Sequence, residues 1–182
     1  VDATIVLPDR VSGYYRSSRF DWSGMVAQIV YHGHTYTREW LVPHDPTRSD
    51  NAIGLAEEFG TGTAGLPGPP GYEEAKPGET FMKIGVGLLE RVDDSHYRFG
   101  YDYRILQPGT WQTRTGKRWV EFSQEMKQER GWGYRYTKRV ELSPSRPELR
   151  ITHTLTNLGA QTINQNHYCH NFLAIDREPI GP

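Results

Sequence analysis

Residues 134–159, YRYTKRVELSPSRPELRITHTLTNLG, decide the fold. Two runs rich in β-branched and aromatic residues flank the segment SPSRP (143–147). Proline has no backbone N–H to give to a ladder, so pairing must stop there and the runs read as two strands joined by a turn. The same grammar recurs along the chain. Short alternating or apolar runs are separated by Gly, Pro, Asn and Asp, which suits an antiparallel β-sandwich or barrel.

Outward from that stretch, GMVAQIVYHGHTYTREWLV (24–42) reads as two strands joined at YHGHT, where Gly33 permits a tight turn. TFMKIGVGLLERV (80–92) reads as one strand run, its two glycines marking a bulge or a close backbone approach. Residues 97–126 read as a strand, a Pro-Gly turn and one or two further strands. Short helical turns are expected only near NAIGLAEEFG (51–60) and GYEEAKP (71–77). The Gly- and Pro-rich segment GTGTAGLPGPPGYEEAKPGE (60–79) leaves two readings open: a disordered surface loop, or an ordered loop folded over a binding site. GTGTAG within it lacks the strand–helix context of a phosphate-binding glycine loop.

The 182 residues suffice for one domain with a sizeable core, and 36% hydrophobic with 24% charged residues is ordinary for a soluble globular chain. A net charge of −1 gives no electrostatic case for nucleic acid or an anionic membrane. No apolar run approaches the ~20 residues of a membrane span. The 11 Tyr and 5 Trp supply flat apolar faces with polar edges, which suit binding surfaces as well as cores. That richness, with a first residue of Val1, points towards export to the periplasm or outside. Cys169 is the only cysteine, so neither an intrachain disulfide nor a cysteine zinc cage is expected, and it reads as a small buried core residue.

NQNHYCHNFLAID (164–176) poses the functional question, because it places polar side chains where a core strand would carry aliphatic ones. Burying an unpaired polar group costs roughly 1–3 kcal/mol, so a hydroxyl-rich ligand is the expected compensation. On a strand, Asn166, Tyr168, His170, Phe172 and Ala174 share one face. His167, Cys169, Asn171, Leu173 and Ile175 share the other, and this second face reads as core. Rings stack on the C–H faces of a pyranose, while imidazole and amide address its oxygens. His167 and His170 have odd spacing and should splay apart, and His32 and His34 straddle a turn, so no metal or other cofactor is expected. RSSRFDWSG (16–24) reads either as a surface ion-pair cluster or as part of a site. Of the adjacent Glu57 and Glu58, one buried against Phe59 would have a raised pKa and could act as an acid or base.

The order of these pieces resembles the galactose mutarotase (aldose 1-epimerase) superfamily. The carriers are the strand end TLTNLG (154–159), HNF (170–172), the early hairpin GMVAQIVYHGHTY (24–36), and EEFG followed by GYEEAKPGETFMKIGVGLLER (71–91). The resemblance implies an antiparallel supersandwich holding a mono- or oligosaccharide in a cleft across one sheet. It implies His170 as the acid that protonates the ring oxygen during anomer exchange. Arg19, Glu58, Lys83, Tyr168 and Asn171 are the residues expected beside the sugar. Two departures bear on this. The family's second histidine motif has no counterpart at GYEEAKPGE (71–79), and its glutamate base belongs to a later part of the fold, whereas this sequence runs twelve residues past His170. The expectation is a single domain corresponding to the N-terminal portion of that fold, with sheet edges open to self-association. The alternatives are a non-catalytic carbohydrate-binding module, or a polysaccharide lyase or hydrolase using Glu57 or Glu58.

Overall fold

The computed structural model describes residues 1–178. It is all-β and antiparallel, an arrangement consistent with a β-sandwich, and the described residues contain no α-helix. The first sheet contains β1 (Asp2–Ile5), β2 (Val26–Tyr31), β4 (Leu55–Phe59) and β12 (His167–Asn171) in that order, with the short β3 (His34–Thr35) paired to β2. A three-stranded sheet holds β5 (Thr80–Lys83), β6 (Gly87–Glu90) and β7 (Ile105–Pro108). The third sheet orders β11 (Leu149–Asn157), β10 (Gly133–Leu142), β9 (Trp119–Lys127) and β8 (Trp111–Gly116). Among the described residues no helix is long and apolar enough to cross a membrane.

The strands on either side of SPSRP pair in continuous register from Tyr134↔Asn157 to Leu142↔Leu149. At the β2–β3 turn, His32 (φ 51) and Gly33 (φ 83) both take positive φ, the geometry that matches the twist of a two-residue hairpin loop. Two expectations need correction. NAIGLAEEFG is not a helical turn: its Leu55–Phe59 portion is β4, recruited by pairing with β12, which overrides the helix preference of Ala, Leu and Glu. TFMKIGVGLLERV is a hairpin, β5 and β6, folded at Ile84–Val86. Residues 97–126 do hold one strand, β7, before Pro108–Gly109 and two, β8 and β9, after it; β7 pairs with β6 and β8 with β9, so the chain changes sheets at that step.

Two cores result. One gathers Tyr15, Phe20, Trp22, Met25, Ala56, Tyr72, Phe81, Leu89, Tyr97 and Phe172. The other packs Phe59 with Met82, Ile84, Leu88, Met126, Tyr134 and Tyr136. RSSRFDWSG does not lie on the surface: Ser17 to Met25 are buried between the sheets without forming a strand. Buried irregular backbone must find partners. Here Asp21 N donates to Glu57 O (2.8 Å), Trp22 N to Gly85 O (3.0 Å) and Phe20 N to the Tyr15 hydroxyl (3.1 Å). GYEEAKP does form a helical turn, closed by Ala75 N donating to Gly71 O (3.1 Å).

Candidate functional site

A cavity of about 580 Å³ opens on the side of β4 and β12 that carries Glu58, Tyr168 and His170. Direct antiparallel partners share a face, so the register Tyr168↔Glu58 and His170↔Ala56 puts these side chains together. Arg19 reaches the cavity from the buried irregular segment. Its guanidinium lies 4.5 Å from the ring centres of both Phe20 and Phe99, with Nε donating to Glu58 Oε2 (3.0 Å) and Nη1 to Asp50 Oδ1. Aromatic stacking and two carboxylates fix this planar cation in one orientation.

Behind Arg19, Lys83 is fully buried and donates to Glu58 Oε1 (3.0 Å) and to the Tyr97 hydroxyl (2.9 Å). Burial lowers the Lys83 pKa, an effect opposed by the Glu58 charge. The rim of the cavity is aromatic and open: Trp40 is 51% exposed, Tyr168 43% and Phe99 37%. These exposed rings cluster around one hollow, as the rings of a ligand site would. Thr61, Thr63 and Leu66 close another side, drawn from the Gly- and Pro-rich segment. Asn166 ties that segment down, its Oδ1 accepting from Thr61 N (3.0 Å) and its main-chain oxygen from Gly60 N (2.9 Å). The segment is thus an ordered loop over the cavity.

The His170 ring stacks on Phe172 (centroids 4.2 Å apart) and stands edge-on to Phe20 (6.1 Å). Among the described residues no side chain or backbone group hydrogen-bonds its nitrogens, which leaves them for a ligand. Partial burial, then the Arg19 charge, lower its pKa, with Asp50 and Glu58 opposing.

The opposite face of the same two strands carries a second polar cluster. Glu57 Oε2 accepts from His153 Nε2 (2.9 Å) and from the buried Lys138, whose Nζ also lies 3.8 Å from Asp21 Oδ2. Tyr136 donates its hydroxyl to Asp21 Oδ2 (2.8 Å). Burial alone would raise the Glu57 pKa, but the His153 hydrogen bond and the Lys138 charge outweigh it and bring it down to about 2. The expected upward shift is therefore reversed. Asp21, sealed with less cationic help, has its pKa raised by burial.

Of the residues expected beside a sugar, Arg19, Glu58, Tyr168 and His170 line the cavity. Lys83 does not: it sits behind Glu58 with no exposed surface. Asn171 also does not, because it alternates with His167 and Cys169 onto the other face. The second face of the terminal stretch is not core. Leu173 (51%) and Ile175 (48%) are exposed while Phe172 and Ala174 are buried, and Cys169 is exposed. Partial burial and the Glu57 charge raise the thiol's pKa, which keeps it protonated. Trp40, Asp50, Thr61 and Phe99 complete the cavity without having been singled out in the sequence, since nothing local distinguishes them from ordinary loop residues. Residues 179–182, the end of the twelve that follow His170, lie outside the described residues. The chain matches no protein-family description, no curated protein and no solved structure.

Proposed function

We propose that the Arg19–His170 cavity binds a mono- or oligosaccharide, and that His170 acts as the acid of an aldose 1-epimerase-type anomer exchange. The observation that carries this reading is an imidazole without a hydrogen-bond partner among the described residues, set in a hollow whose rim is exposed Trp40, Tyr168 and Phe99 and which Arg19, Asp50 and Glu58 also line. Aromatic faces cover the C–H side of a pyranose, and fixed ionic groups and threonine hydroxyls meet its hydroxyls.

In the reaction, His170 gives a proton to the ring oxygen as the anomeric hydroxyl loses its own. The ring opens, the C1–C2 bond turns, and closure on the other face returns the proton to His170. Asp50 is the acceptor this reading assigns, because its side chain is 48% exposed whereas Glu58 is sealed. A second reading, sugar binding without turnover, is favoured by one feature. Both cavity carboxylates are already engaged by cations, Glu58 by Arg19 and Lys83 and Asp50 by Arg19.

Calorimetric titration with free aldoses and oligosaccharides, paired with polarimetry of anomer exchange, tests both. Binding with exchange that falls at least ~100-fold in His170→Asn supports the catalytic reading. Binding without exchange in the wild type selects the binding module. Absence of binding to every sugar at millimolar concentration, or exchange unaffected by His170→Asn, overturns the proposed role.

A further inference from the structure

The histidines of this chain argue against a metal when they are taken in sequence pairs, but folding makes a different pair. His167 on β12 comes beside His153 on β11, their ring centres 4.8 Å apart, and both face Glu57. His153 Nε2 lies 2.9 Å from Glu57 Oε2 and His167 Nε2 lies 3.9 Å from Glu57 Oε1. One donor atom from each of the three residues falls within 4.8 Å of the others. We propose that Glu57, His153 and His167 bind a divalent first-row transition metal of the zinc class, on the face of the β4–β12 pair opposite the sugar cavity.

The chemistry of the donor set is that of three-ligand zinc sites, two imidazoles and one carboxylate with the fourth position open. Bonds near 2.1 Å place tetrahedral donors roughly 3.4 Å apart, so donors as much as 4.8 Å apart must close by roughly 1.4 Å. The carboxylate is fixed in the core, while the imidazoles are partly exposed (His153 24%, His167 31%) and have room to turn towards it. Their planes are already guided by aromatic walls. Tyr136 lies parallel to His153, 2° between planes, and Phe59 packs 4.6 Å from His167.

Lys138 is the natural competitor for Glu57, and its placement decides which oxygen remains. It contacts Oε2 and shares its charge with Asp21, so it does not cover Oε1. Oε1 faces the partly exposed His167 and the sulfur of the exposed Cys169 (3.8 Å).

Chelator-stripped full chain titrated with Co²⁺ alone, followed by visible absorption, and with Zn²⁺ alone, followed by calorimetry, tests the assignment. A single site is expected, with tetrahedral-type Co²⁺ bands and affinity reduced about 100-fold or more in His153→Ala and in His167→Ala. His170→Ala and His34→Ala should leave affinity within about twofold, and circular dichroism checks that each variant folds. Binding that survives the His153→Ala/His167→Ala double substitution in folded protein would overturn the site, as would no Co²⁺ spectrum at millimolar metal. Neither outcome touches the sugar cavity, whose ligands are measured separately.

Discussion

Glu57 and Glu58 are neighbours on β4, yet their carboxylates belong to opposite faces and each is matched to its own fully buried lysine. Glu58 meets Lys83 on the cavity side, and Glu57 meets Lys138 on the other. The alternation of a strand alone separates them. Two adjacent acids, ordinarily a solvated pair, thereby become the centres of two distinct buried networks.

Removing one member of such a pair leaves an uncompensated buried charge, which costs about 3–5 kcal/mol, whereas replacing both by apolar residues is often near neutral. Glu58→Gln should therefore destabilise the fold by several kcal/mol in urea denaturation at pH 7. Glu58→Gln/Lys83→Met should recover much of that loss. If the double variant proves as unstable as the sum of the single ones, the Lys83 network is held by something other than charge pairing.

The Glu57 pair also predicts a pH dependence. In the chelator-treated protein the folded Glu57 titrates at about 2, against 4.5 for the ordinary carboxyl. As pH falls, the unfolded chain takes up this proton first, so the stabilisation is whole above about 4.5 and is lost as pH drops towards 2. The shift corresponds to something on the order of 3 kcal/mol. Asp21, whose pKa is raised, contributes the opposite slope, so the comparison must be with Glu57→Gln. Denaturation between pH 5 and 2 should show a shallower decline for that variant than for wild type. Parallel curves would mean that Glu57 is not held down by His153 and Lys138.

The sheet of long strands was readable from residues 134–159 because alternation and proline act locally. The cavity-facing set Tyr168 and His170 followed from the same period-two rule. What escaped was everything that depends on pairing across distance. Ala56, Glu57 and Glu58 favour helix in isolation, and only β12 makes them a strand. Arg19 is legible as a site residue, but its stacking on Phe99 is not, because that partner lies far along the chain. Leu173 and Ile175 looked like core because their apolar character was visible, but not that β12 is the last strand of its sheet among the described residues. His153 carried no signal at all, since its partner Glu57 is 96 positions away.

Gly85 offers a test of how tightly the buried segment 17–25 is keyed to the β5–β6 turn. A Cβ there would lie 2.5 Å from Asp21 Oδ1, and the Asp21 carboxylate is pinned by Ser23 and Tyr136. Gly78 has a similar positive φ (87°, against 80° at Gly85) but nothing within 4 Å of its added Cβ. Both alanine variants carry the cost of a left-handed backbone, about 1–2 kcal/mol. Gly85→Ala should lose roughly a further 1–3 kcal/mol from overpacking. Equal losses in thermal or urea denaturation would show that Asp21 can move aside freely.

The pH profile of anomer exchange separates a proton-donating His170 from one that only shapes the cavity. An acid must carry its proton before the ring opens, so the active form is the imidazolium. Partial burial and the Arg19 cation both disfavour that form, and they place the pKa of His170 below the ordinary 6.5. The expected profile of kcat/KM, which reports the free enzyme, therefore has a limb that falls as pH rises through a value below 6.5. Replacing Arg19 by Gln removes one of the two effects that disfavour the charged imidazole, so the limb should move to higher pH even if sugar affinity drops. A structural histidine would give no such movement. A limb that stays in place in Arg19→Gln, or one lying well above 6.5 in wild type, would remove His170 from the proton-transfer step while leaving its place in the cavity wall intact.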